Sequence, residues 1–165
     1  MIRHLYFVCP SDNLENLIDE TYPQENYYLS SLGNSISFSS EFTEEINALI
    51  ESKSIEKITF VLSKDNKFIL DGIKTKEFCN IRDLDEFYTA IGDGLDISSK
   101  AYNDNNLQTL ITSYFLKLKI EEMNLNLHEW LSPKVVVDAK VYNREKKAFN
   151  SVEFNLLDPS AIFLN

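Results

Sequence analysis

Three features of the sequence predict an α/β fold, a three-layer α/β/α domain spanning residues 1–165 with a mainly parallel sheet and an antiparallel edge hairpin. The first is an apolar opening run, His4-Leu5-Tyr6-Phe7-Val8, which breaks at Cys9-Pro10 and passes through Ser11-Asp12-Asn13 into a helical pattern, the first half of a βα unit. The second is the nearly continuous apolar set Ile58, Phe60, Val61 and Leu62, as expected of a strand covered on both faces. The third is the alternation of Val135, Val137, Ala139 and Val141 with Val136, Asp138, Lys140 and Tyr142, whose period of two marks a strand with one wetter face.

Taken in order, the first strand runs from Leu5 to Cys9, because Pro10 cannot donate to a ladder. Asp12 followed by Glu15 reads as a helix N-cap with its capping-box partner. Leu14, Leu17, Ile18 and Tyr22 then share one helical face, and Pro23 ends that helix. A short aromatic strand over Asn26–Ser31 stops at Gly33-Asn34, where positive φ is easily made. Ser39 and Ser40 are candidate caps for a helix with the inward stripe Phe42, Ile46, Leu49 and Ile50. The third strand covers Ile55 to Leu62 and ends in the polar turn Ser63-Lys64-Asp65-Asn66. Phe68-Ile69-Leu70 begins either a helix or a short strand. A helix over Leu84–Ile91 is interrupted at Gly92-Asp93-Gly94. A long helix runs from Asn106 to about Met123, its stripe formed by Leu107, Leu110, Ile111, Tyr114, Phe115 and Leu118. His128 and Trp130 follow, and Pro133 closes that segment. After the fourth strand comes a charged turn, Asn143–Lys147, and Ala148–Phe154 returns antiparallel to it. Charges on this hairpin suit a sheet edge. The apolar tail from Leu156 to Asn165 is expected to dock.

Composition bounds the function. Hydrophobic residues make up 44% and charged residues 25% of the 165, the profile of an ordinary globular chain. A net charge of −10 disfavours nucleic acid and anionic membrane, both of which reward Lys and Arg. No apolar stretch approaches the length of a membrane span, and the start lacks the apolar region of a signal peptide. Cys9 and Cys79 form no disulfide framework, which places the protein in the reducing cytoplasm.

In open α/β sheets, ligands gather beyond the carboxyl ends of the strands. The candidate site is therefore a polar cleft of Cys9, Ser11, Asp12, Asn13, Ser63, Asp65 and Asn66, flanked by Ser30, Gly33 and Asn34. Turns of this kind bind small anions through backbone N–H groups, and the competing reading is a solvated loop surface. Cys9, near a helix start, reads either as a reactive thiol or as a buried small hydrophobe. His4 and His128 read as structural histidines. Cys9, Cys79, His4 and His128 match no zinc spacing, and the nucleotide-binding glycine fingerprints are absent.

The pattern resembles the β-class carbonic anhydrases. In that family the first strand ends in Cys-x-Asp-x-Arg, a second strand ends in Arg-Asn-x-Gly-Asn, and a buried strand ends in His-x-x-Cys. A late strand carries a Val-Tyr-Asp-type turn. Cys9 stands where the first zinc-ligand cysteine would, and Gly33-Asn34 stand where the second motif closes. Ser54–Val61 matches the entry to the buried strand, and Val141-Tyr142-Asn143 matches the late turn. The departures concern chemistry. Ser11 and Asn13 replace the aspartate and arginine of the first motif, and Asp12 is one place out of step. Ser30-Ser31 replace Arg-Asn. The gapless register puts Ser63 in the histidine position and Asn66 in the cysteine position; a shift by one puts Lys64 and Lys67 there. One cysteine with Ser and Asn cannot hold zinc tightly, and without zinc there is no hydroxide to attack carbon dioxide. The resemblance thus implies the fold without the reaction and without a cofactor: a non-catalytic binding or regulatory protein acting through a partner protein or a small ligand, such as a small anion, at the old cleft. It also implies a homodimer. The alternatives are an enzyme of another class using Cys9 as nucleophile or redox thiol, and a structural subunit of a larger assembly.

Overall fold

The computed structural model describes residues 2–81, 84–98, 104–127 and 135–152. Five strands form one sheet: β1 (Arg3–Val8), β2 (Glu25–Ser30), β3 (Lys57–Ser63), β4 (Val136–Asn143) and β5 (Ala148–Ser151), in the order β2-β1-β3-β4-β5. The first three pairings are parallel and β4–β5 is antiparallel. The predicted architecture is the one observed. Strand ends differ by one to three residues; Cys9 and Ser31 lie just outside their strands, and Ser63 lies inside β3.

The pleat sorts the apolar residues into two cores. Leu5, Phe7, Ile58, Phe60, Leu62, Ala139 and Val141 face the helices α2 (Ser40–Lys53), α3 (Lys67–Lys74), α4 (Asp85–Ser98) and α5 (Asp104–Leu127). Tyr6, Val8, Val61 and Tyr142 face the short α1 (Glu15–Thr21), with Leu14 and Ile18 beneath it. Helices thus cover both faces, and α2 starts as read: the Ser39 hydroxyl accepts from Phe42 N–H and caps it.

One open alternative is decided and two expectations are corrected. Phe68-Ile69-Leu70 lies in a helix, because the Asn66 side chain accepts from the N–H groups of Phe68 and Ile69 and starts α3. Gly92-Asp93-Gly94 does not interrupt α4. The helix continues to Ser98 because Gly94 lets it lie against α5: a Cβ there would stand 2.8 Å from Tyr114 Cδ1. The long helix extends to Leu127, about one turn beyond Met123, and buries Leu127. His128, Trp130, Pro133, the end of the returning strand beyond Val152 and the apolar tail lie outside the described residues.

Asp71 ties α3 to α4. Its buried carboxylate accepts from Thr75 and Tyr88 hydroxyls and from the N–H groups of Glu77 and Phe78. Burial alone would raise its pKa, but these four donors bring it down to about 2.

Candidate functional site

Parallel pairing brings the carboxyl ends of β1 and β3 to one level, with Val8 opposite Val61. Past that level β1 enters a single 3₁₀ turn, Pro10–Asp12, closed by Asn13 in the left-handed region (φ 51°). β2 ends in a second such turn, Leu32–Asn34, where Gly33 and Asn34 both have positive φ. A Cβ on Gly33 would fall 2.9 Å from the Phe87 ring, so glycine is required for space as well as for φ.

These turns bring together most of the predicted residues, in two knots. In the first, the buried Cys9 sulfur accepts from Gly33 N–H at 3.1 Å and lies 3.1 Å from the Ser11 hydroxyl. Asn34, also buried, donates through Nδ2 to the carbonyls of Phe7 and Val61 and so ties β1 to β3. In the second, Asp12 is 2% exposed; its Oδ2 accepts from Ser63 N–H at 2.7 Å and its Oδ1 from Asn66 Nδ2 at 2.9 Å. Asp12 is therefore not the N-cap of α1. Leu14 holds that position, without a side-chain cap, and the left-handed Asn13 turns the chain so that Asp12 points toward β3. Asp65 accepts from the Ser63 hydroxyl. Asn13 and Ser30 stay on the exposed rim and join neither knot through their side chains.

Arg144 is a site residue that the sequence reading missed. From the β4–β5 turn it donates to Asp65 Oδ1 at 3.0 Å and to the Asp12 carbonyl at 2.6 Å. The only signal in the sequence is the charged run Arg144-Glu145-Lys146-Lys147; the contact with Asp12 spans 132 positions.

Burial pushes the Asp12 carboxyl above the usual aspartate range, against the pull of Ser63 N–H, the Asn66 amide and Arg144. Burial also raises Asp65, but the Ser63 hydroxyl and Arg144 outweigh it and leave that carboxyl below its ordinary value. A cavity of about 580 Å³ lies beside the knots, with Ser31, Leu32, Ile36, Phe42, Leu84 and Glu86 in its wall; Cys9 and Asp12 are not part of it.

No family model matches the sequence, and no curated protein matches it. Solved structures do match. The wild-type β-carbonic anhydrase CafD of Aspergillus fumigatus superposes with a TM-score of 0.73 at 10% identity, covering 93% of this chain and 90% of that one. A tetrameric β-carbonic anhydrase of Sordaria macrospora gives 0.73 at 10% identity, over 92% and 80% of the two chains. The Coccomyxa β-carbonic anhydrase solved with acetazolamide gives 0.69 at 11% identity, over 92% and 72%. The fold is that of the β-carbonic anhydrases. At these identities the likeness is one of architecture.

Zinc is the metal this fold family implies, and the residues here do not fit it. The Cys9 sulfur is engaged by Gly33 and Ser11, and serine and carboxamide oxygens are poor zinc donors. No group of three or more His, Cys, Asp or Glu placed to hold a metal lies among the described residues. Cys79 is exposed, and both ring nitrogens of His4 are bonded, to Gln24 and Thr59. No helix among the described residues is long and apolar enough to cross a membrane.

Proposed function

We propose that this chain is a non-catalytic protein on a β-carbonic anhydrase scaffold, a single-domain binding or regulatory module that acts through a protein partner or small anion at the former cleft. The observation that carries this reading is the role of Asp12. The two positions that the family register gives to histidine and cysteine hold Ser63 and Asn66, and both bond to one buried carboxylate. Ser63 bonds to Asp12 through its main-chain N–H and donates its hydroxyl to Asp65, while Asn66 donates its amide to Asp12 and accepts at its carbonyl oxygen from the N–H groups of Phe68 and Ile69, so both side chains are engaged by the protein. Cys9 is buried and its sulfur is bonded to Gly33 N–H and the Ser11 hydroxyl, with no base against it among the described residues, which weighs against the alternative of a nucleophilic or redox thiol. The exposed edge strand β2 suits self-association, so a cytoplasmic homodimer belongs to the same proposal.

Elemental analysis of the purified protein, paired with a carbon dioxide hydration assay, tests the reading. The expected result is sub-stoichiometric zinc and a rate equal to buffer. Stoichiometric zinc together with hydration activity would overturn it.

A further inference from the structure

The cations of this chain are not spread evenly. The turns Ser63–Lys67 and Asn143–Lys147 together hold Lys64, Lys67, Arg144, Lys146 and Lys147, five of the sixteen Lys and Arg, against Asp65 and Glu145, two of the twenty-six Asp and Glu. The fold joins these turns at the carboxyl end of the sheet. Lys64 N–H donates to the Tyr142 carbonyl, and Arg144 spans to Asp65 and to the Asp12 carbonyl. Lys67, Arg144, Lys146 and Lys147 are exposed and Lys64 half-buried. A net positive surface therefore sits over the closed knots of a chain whose charge is −10.

We propose that these two turns form a docking surface for a short acidic segment of a protein partner. This rests on the non-catalytic reading above and gives its partner a chemistry. Two observations choose this occupant. The Asp12 carboxylate and the Cys9 sulfur beneath the patch are bonded to Ser63, Asn66 and Gly33, so the patch presents a surface rather than a charged hole for a small molecule. Screening confines attraction to about 8 Å at physiological salt, so a short acidic segment feels the local cations, whereas nucleic acid or an anionic membrane would also meet the acidic remainder of the chain. The Arg144–Asp65 pair is 43% and 55% exposed, and surface pairs of this kind are weak, so a competing carboxylate can draw the guanidinium outward.

The test is fluorescence anisotropy with a short fluorescein-labelled peptide of alternating Glu and Gly. It is titrated with the wild-type chain, with Lys67→Glu/Lys146→Glu, and with the control Lys53→Glu/Lys74→Glu, which changes net charge equally elsewhere; thermal melting checks that both variants fold. The expected result is saturable binding that weakens with added salt, falls at least about tenfold in the first variant and moves less than about twofold in the control. Absence of saturable binding, equal loss in both variants, or tighter binding to double-stranded DNA or phosphatidylserine vesicles would overturn the proposal. None of these outcomes bears on zinc content or hydration activity, so the parent reading stands or falls separately.

Discussion

Two buried polar regions lie on this sheet, one built on an aspartate carboxyl and the other on a neutral imidazole. At the carboxyl end, the hub is Asp12, a carboxylate held by Ser63 N–H and the Asn66 amide. At the amino end, on the α1 face, the hub is His4. Gln24 Nε2 donates to its Nδ1 at 2.5 Å, its Nε2–H donates to Thr59 at 2.7 Å, and Thr59 donates to Asp138, which pairs with Lys57 at 2.9 Å. That string fixes one neutral tautomer, and Tyr6 stacks on the ring at 3.9 Å between centroids. Burial, then Lys57, with Lys140 adding to it, brings His4 down to about 4, against the pull of Asp138. Both hubs, Asp12 and His4, are bonded to protein partners, but only the first lies where ligands gather in such sheets. A polar cluster at the ligand end of a sheet can thus be as closed as a structural one.

The largest effect expected from breaking this comparison is at Asp12. Asp12→Ala leaves two buried donors unpaired and costs about 4 kcal/mol in urea unfolding, with Asp12→Asn costing roughly half as much. The next is a pH effect of opposite sign in the two regions. Because the folded value of His4 lies below its ordinary 6.5, the unfolded chain binds the proton first. Stability therefore falls as pH drops from 6.5 toward 4 and levels off below, by up to about 3 kcal/mol from this group. Subtracting the His4→Asn stability curve isolates that window. Asp12 runs the other way: its raised value makes the folded chain bind the proton first, so acidification adds stability there, and Asp12→Asn removes that gain. A third expectation concerns access to the first knot. Native iodoacetamide labelling followed by peptide mass spectrometry should modify exposed Cys79 and leave buried Cys9 at least about a hundredfold slower.

Much of the scaffold was legible because its signals are local. The apolar run before Pro10, the stripe Phe42–Ile50 and the alternation from Val135 to Tyr142 each declare their element within a few residues. What escaped was non-local or decided by packing. Asp12 and Glu15 have the spacing of a capping box, but Ser63 N–H, fifty-one positions away, claims the carboxylate. Gly92 and Gly94 read as a break because glycine costs about 1 kcal/mol in a helix, an amount that packing against α5 outweighs. The two glycines differ in a testable way, and this is the smallest effect expected. Gly92→Ala, where nothing lies within 4 Å, gains about 0.5–1 kcal/mol, while Gly94→Ala meets Tyr114 and loses about 1 kcal/mol. Of the ten predicted site residues, the structure ties eight into the two knots and leaves Asn13 and Ser30 on the rim.

On the non-catalytic reading proposed above, Ser63, Asn66 and Cys9 at the carboxyl end of this sheet are bonded to other groups of the chain rather than to a metal. Zinc titration of the reduced chain against a chromophoric chelator, with Cys9→Ser in parallel, tests it most directly. Neither protein is expected to withdraw zinc from the chelator, and the two curves should coincide. Stoichiometric uptake by the wild-type chain that disappears in Cys9→Ser would contradict it.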